Sequence, residues 1–167
     1  DFCPDKVYVS PLIRARETAA ILFPGAAQIP VEGLREMDFG AFEGRNYLEM
    51  AEDADYRRWV EGGCVERCPG SGEDRDAFAA RSCESFAFLV EAALAAGEER
   101  LVIVAHGGTL HAMYQLLNGG PMKDMWKQTI GNCGYFIASV VDGTLSVVDR
   151  RFKEENRTLP LDSFLKK

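Results

Sequence analysis

The sequence predicts an α/β domain of three layers, a mostly parallel sheet flanked by helices. Two strand–turn–helix junctions and one hairpin signal carry that expectation. The stronger junction is LVIVAHGGTLHAM, Leu101 to Met113. Its continuous apolar run leads into Ala105 and His106, and Leu110, Met113, Tyr114 and Leu117 then follow a helical period. A short unbroken apolar run reads as a strand buried on both faces, hence a parallel strand. Gly107 and Gly108 suit the tight turn, and Thr109 is placed to cap the helix. His106 thus falls at the carboxyl end of a strand, beside a helix amino terminus. Open α/β sheets place ligands there, and the backbone N–H groups favour an anion. Taken alone, His106 reads as a structural histidine in a turn; its companions change that reading.

In chain order, Lys6 to Ser10 (KVYVS) is a short β-rich run, and SPLIRARETAAILFP follows directly. Ser10 suits a helix N-cap and Pro11 the first helical position. Leu12, Ala15, Ala19 and Leu22 supply the apolar stripe, and Pro24-Gly25 stops the helix. Arg14 lies in the first turn, within reach of an anion at the strand end. Together with Arg16 and Glu17 it reads equally well as a solvated helix face. Gln28 to Val31 reads as a short strand. In LREMDFGAFEGRNYLEM, Leu34 to Met50, the carboxylates Glu36, Asp38 and Glu43 alternate with Phe39, Phe42 and glycines. A carboxyl group desolvated by such neighbours holds its proton to higher pH and can serve as a general acid. An ordinary surface loop has the same spacing.

Residues 52–76 are polar and glycine-containing, with Tyr56 and Trp59 as isolated anchors; the stretch reads as an excursion from the sheet and a possible lid. Ala77 to Ala96 is a strong helix, with Phe78, Phe86, Leu89, Val90, Ala93 and Leu94 on one side and Gly97 at its end. Met122 to Thr129 is a short amphipathic piece. Tyr135 to Val141 and Thr144 to Val148 flank Asp142-Gly143, the signal for a two-residue type I′ hairpin. The tail beyond Arg150 is mostly polar and is expected to pack loosely.

The 167 residues, 47% of them hydrophobic, fit one domain, residues 1–167, with a full core. A net charge of -7 and the lack of a basic stripe argue against nucleic acid as a partner. No apolar run approaches a membrane span and no signal peptide is visible, so the expectation is a cytoplasmic protein without a membrane partner. The five cysteines show no disulfide-framework spacing. Cys64 and Cys68 would make half a metal site, but two histidines and no second cysteine pair argue against metal. The chain opens at Asp1 and its first β-rich run begins at Lys6, so it reads as entered in mid-domain.

Taken together, SPLIRARETA, LREMDFGAFEG and VAHGG resemble the histidine phosphatase superfamily, also called the phosphoglycerate mutase-like family. Their order and separations match, from Ser10 to Gly108. The compact length and the GAFEG ending look like the phosphatase branch, including α-ribazole phosphatase-like enzymes. The resemblance implies a phosphoglycerate mutase-like fold and no cofactor. It casts Arg14 as a phosphate-binding arginine, Glu36 as the proton donor and His106, with Gly107, as part of the phosphoryl-binding group. The chemistry agrees: phosphoryl transfer needs positive donors around the equatorial oxygens and a proton for the leaving alkoxide.

The family's nucleophile is a histidine in an Arg-His-Gly motif on the first strand, ahead of the SPLxRA helix. This chain has only His106 and His111, neither in such a motif, and His111 reads as structural. The nucleophile, one phosphate-binding arginine and the first strand are therefore expected upstream of Asp1. The 167-residue chain as it stands is expected to be inactive. When complete, the expected activity is metal-independent hydrolysis of a small phosphorylated metabolite through a phosphohistidine. The alternatives are an inactive phosphate-ligand-binding or regulatory protein on the same scaffold and a phosphoglycerate mutase-type phosphotransferase. Other classes fail on sequence. HGGT is similar to an esterase oxyanion loop, but no G-x-S-x-G nucleophile elbow is present. No Walker-type phosphate loop occurs, and no cysteine is followed by the arginine of a cysteine phosphatase. Oligomeric state and substrate identity are not legible.

Overall fold

The computed structural model describes residues 3–70, 72–127, 130–141 and 144–152. Strand β1, Lys6–Val9, is the centre of a three-stranded parallel sheet of order β2-β1-β3, with β2 at Ala27–Pro30 and β3 at Ile103–Val104. Tyr8 lies opposite Ile103 and Val9 opposite Val104. The ladder extends past the regular strands, because Tyr8 N–H donates to Val102 O and Ser10 N–H to Val104 O. The pleat sorts the side chains. Val7 and Val9 are fully buried with Ala15 and Ala19 of helix α1, Ile13–Leu22, on one side. Tyr8 and Ile103 pack on the other side against Leu34, Phe86, Leu89 and Met113. The last three come from helices α3, Arg75–Ala95, and α4, Gly107–Leu117. Helix, sheet and helix make three layers, as expected.

Several local expectations are corrected. Helix α1 begins at Ile13 rather than Pro11, with Leu12 as its flanking residue. The sheet ladder claims Ser10, holding it extended and fully buried, so it cannot cap the helix. The stripe of α1 also narrows to Ala15 and Ala19, since Leu22 is 54% exposed. Thr109 is no cap either. His106 precedes α4, while Thr109 Oγ1 donates to the carbonyls of Leu34 and Arg35 and fastens the helix to that segment. The continuous apolar run yields only two residues of regular strand, and of Leu101 to Val104 only Val104 is buried.

Helix α3 matches its predicted span closely. Asp74 caps it by accepting from Ala77 N–H, and Gly97 follows its end with φ 67°. Phe78, Phe86, Leu89 and Ala93 are buried, whereas Leu94 lies off the stripe. The helix packs so closely on the 3-10 turn Glu32–Leu34 that a Cβ at Gly33 would sit 1.6 Å from Ser85 Oγ.

The hairpin forms from β4, Tyr135–Val141, and β5, Thr144–Arg151, with Val141 opposite Thr144. Asp142 and Gly143, and so the expected turn type, lie outside the described residues. The hairpin is a separate two-stranded sheet that joins the core through Phe136 and Leu145. Beyond Arg150, Phe152 packs edge-on against Tyr114 at 4.8 Å between ring centres; the rest of the tail lies outside the described residues. Within 52–76 the chain forms helix α2, Ala54–Glu61, capped by Asp53. Tyr56 and Trp59 are not isolated. They join Phe39 and Phe42 in one group of rings.

Candidate active site

The adjacency of β1 and β3 brings the two predicted junctions to one edge of the sheet. Arg14 enters from the first turn of α1, and His106 from the chain between β3 and α4. Glu36 comes from the segment after the Glu32–Leu34 turn, which Thr109 ties to α4. These three are brought together. The guanidinium of Arg14 acts electrostatically on both His106 and Glu36. Gly107 opens α4, and the neighbouring Gly108 N–H donates to Glu36 Oε2 at 3.1 Å. One amide of the helix amino terminus is thus taken by a carboxylate of the chain itself.

His106 is 8% exposed, and its Nε2 lies 2.7 Å from Ser10 Oγ. That hydroxyl also accepts from Leu12 N–H at 3.3 Å. Burial, with the positive charge of Arg14 beside it, lowers the His106 pKa to about 4. The imidazole is therefore neutral at neutral pH in the unliganded site. An arriving anion would reverse the local field and favour the charged ring.

Glu36 moves the other way. Burial raises its pKa above the ordinary carboxylate value and outweighs the amides of Met37 and Gly108 and the charges of Arg14 and Arg81, which lower it. Its Oε1 accepts from Met37 N–H at 3.1 Å, so both oxygens are anchored. Asp38 and Glu43, the other two candidate acids, are exposed and occupied locally. Asp38 Oδ1 accepts from Gly40 N–H and Glu43 Oε1 from Phe39 N–H. Burial is what distinguishes Glu36.

Arg14 and Glu36 line a cleft of about 740 Å³ together with Arg35, Arg67 and Arg81. Arg35 lies 3.7 Å from Glu32, Arg67 3.6 Å from Asp74 and Arg81 2.8 Å from Glu73. Among the described residues, Arg14 is the cleft arginine that forms no close ion pair, although the Glu36 carboxylate feels its charge. A planar donor fork without a close ion pair is suited to bidentate capture of a phosphate.

Two residues of this site are not identified by the sequence reading. Ser10 looks like a helix cap and proves to be the partner of His106. Arg81 crosses from α3 to hold Glu73 through two nitrogens and to donate to Gly33 O and Arg35 O. It clamps the backbone just ahead of Glu36, and no sequence signal set it apart from Arg75 in the same helix. All five cysteines are free. Burial above all pushes the Cys68 thiol up to about 11 and raises Cys64 as well. Protonated thiols make poor metal ligands. Among the described residues no group of three or more His, Cys, Asp or Glu converges on a metal position.

Known proteins share this architecture. A protein provisionally named phosphoserine phosphatase 2 from Hydrogenobacter thermophilus is 33% identical over 134 residues, 78% of this chain and 64% of its own length. The 2,3-bisphosphoglycerate-dependent phosphoglycerate mutase of Methylobacterium radiotolerans is 32% identical over 69% of this chain and 57% of its own. The crystal structure of the α-ribazole phosphatase from Shigella flexneri superposes with a TM-score of 0.72 at 23% identity, covering 91% of this chain and 77% of that one. That likeness establishes the phosphoglycerate mutase-like fold. The chain spans between 48% and 64% of the length of the curated relatives it matches. The model of the histidine phosphatase superfamily, branch 1, matches residues 1–152, and with these relatives it establishes that the chain belongs to that superfamily.

Proposed function

We propose that this chain carries the phosphate-binding and proton-donating part of a metal-independent phosphomonoesterase acting on a small phosphorylated metabolite in the cytoplasm. The observation that carries the reading is the Arg14 guanidinium, without a close ion pair, lining the same cleft as Glu36. Arg14 holds two phosphate oxygens, and Gly107 N–H at the start of α4 and the ring of His106 supply further donors. Glu36 protonates the leaving oxygen as the ester bond breaks, for which a carboxyl group with raised proton affinity is suited. The phosphoryl group passes to a histidine nitrogen, and water then cleaves the P–N bond to release phosphate.

Neither histidine of this chain suits the nucleophile's role. His106 is paired with Ser10, and His111 accepts from Ile130 N–H at 3.1 Å. The reading takes the nucleophile from a histidine outside these 167 residues; among the described residues β3 lies at an edge of the sheet, where a further strand can pair. The likeness to a phosphoglycerate mutase favours, as a second reading, transfer of the phosphoryl group to another hydroxyl instead of water.

The test compares the 167-residue chain with a chain extended by the residues encoded upstream. The extended chain is expected to hydrolyse an aryl phosphate without added metal and to form an acid-labile phosphohistidine. The shorter one should do neither. A well-folded extended chain that forms no phosphohistidine would leave a phosphate-ligand-binding protein as the reading.

A further inference from the structure

Beside the cleft lies a second concavity, a recess of about 310 Å³. Phe42 and Met50, both 5% exposed, are its buried residues, and Phe39, Tyr56 and Trp59 line it as well. Tyr47, 68% exposed, completes the lining. The rings are mutually braced. Phe42 meets Tyr56 edge-on at 5.5 Å, and Phe39 meets Trp59 edge-on at 6.1 Å. Trp59 is fixed further by donating its indole N–H to Glu66 O.

The recess and the cleft meet at one shared residue. Glu43 lines both, and its carboxylate folds back to accept from Phe39 N–H at 3.0 Å. Asp38, on the cleft side, immediately precedes Phe39. The junction is closely built: Gly40 has φ 53°, and a Cβ there would lie 2.3 Å from Pro69 O. The charge is equally telling. The recess has one cation, Arg45, and it is neutralised by Asp53 at 2.9 Å. What remains is an aromatic surface with a carboxylate at its entrance.

We infer that this recess is the leaving-group subsite of the same active centre, shaped for an uncharged planar ring on the alcohol side of the phosphomonoester. This rests on the phosphatase reading of the cleft. Arg14 anchors the phosphate, the ring lies against Tyr47 and Trp59, and the Glu43 carboxylate accepts from any hydroxyl or N–H between them. A leaving group that carries its own carboxylate meets Asp38 and Glu43 on the way and is disfavoured. The subsite thus selects aryl and heteroaromatic esters over short anionic ones.

Calorimetric titration of the extended chain tests this with benzylphosphonate, ethylphosphonate, 3-phosphonopropionate and inorganic phosphate, each affinity expressed relative to phosphate. Benzylphosphonate should bind about tenfold tighter than ethylphosphonate, the size of one good aromatic contact. Phosphonopropionate should bind more weakly than either. Tyr47→Ala should abolish the benzyl preference and Tyr47→Phe should retain it; Tyr47 is exposed, so neither change threatens the fold. Equal binding of the benzyl and ethyl compounds, or a benzyl preference indifferent to Tyr47→Ala, overturns the subsite while leaving the phosphate site intact. Arg14→Ala separates the two readings, because it should weaken all four ligands. A benzyl preference that survives with no dependence on Arg14 would overturn the phosphatase reading instead. Failure of all four to bind overturns both.

Discussion

The sheet edge and the excursion that carries the aromatic recess are neighbours built on different principles. At the sheet edge, Ser10, Thr109 and Met113 are fully buried, and hydrogen bonds that cross 96 and 72 residues of sequence join His106 to Ser10 and Glu36 to α4. In the excursion, α2 has no buried residue, and its order comes from a local cap, ring edges and exposed ion pairs. The first region fixes a few polar atoms against burial, where each lost partner is costly. The second offers a surface whose contacts are individually small and replaceable. On the proposed reading, chemistry belongs to the buried edge and selectivity to the aromatic wall, as with loops varying on a fixed scaffold.

The sharpest way to break this division is at Glu36. In a catalytically active form of the protein, Glu36→Gln should lower turnover on the order of 10²–10⁴-fold while leaving phosphate affinity intact. Steady-state kinetics with phosphate inhibition would show it. Undiminished turnover would move the acid to Asp38 or Glu43, on the excursion's side of the cleft.

The next effect concerns the buried pair. Ser10→Ala removes the hydroxyl that serves both His106 and Leu12 N–H and should cost roughly 1–3 kcal/mol in denaturant unfolding. The charge state of His106 gives the same pair a pH signature. Its folded pKa of about 4 lies below the ordinary 6.5, so between these values the unfolded chain binds more protons and stability falls as pH falls. Glu36, with its pKa raised, acts in the opposite sense and gains as pH falls. His106→Asn should therefore flatten the loss between pH 6.5 and 4 and leave the Glu36 gain visible. An unchanged slope would show that His106 is not held neutral.

The smallest effect belongs to the excursion. Asp53 caps α2 through Asp55 N–H and Tyr56 N–H, and pairs with Arg45. Asp53→Ala should cost clearly less than Ser10→Ala in the same denaturant unfolding, since an exposed cap and surface ion pair contribute little. A loss as large as that of Ser10→Ala would erase the distinction between the two regions.

Much of the site's placement was legible. Apolar run, glycine pair and helical period located His106, and SPLIRARETA located Arg14, because strand-to-helix junctions are written in local periodicity. The carboxyl end of α3 was legible for the same reason, at Gly97, whereas its cap at Asp74 was not. Ser10 was misread because a cap and a buried hydroxyl are the same residue type in the same local context. Only the neighbouring strand distinguishes them. Tyr56 and Trp59 looked isolated because Phe39 and Phe42 are distant in sequence.

By itself, then, the sequence determined the order of elements, the parallel sheet, the two junctions and a short set of candidate residues at them. These depend on neighbours a few residues away. The tertiary structure decided which of three carboxylates is desolvated, which arginine forms no close ion pair and what holds His106. Desolvation and charge compensation are sums over everything within several ångströms, and those neighbours arrive from α3, α4 and the turn at Glu32–Leu34 only when the chain has folded.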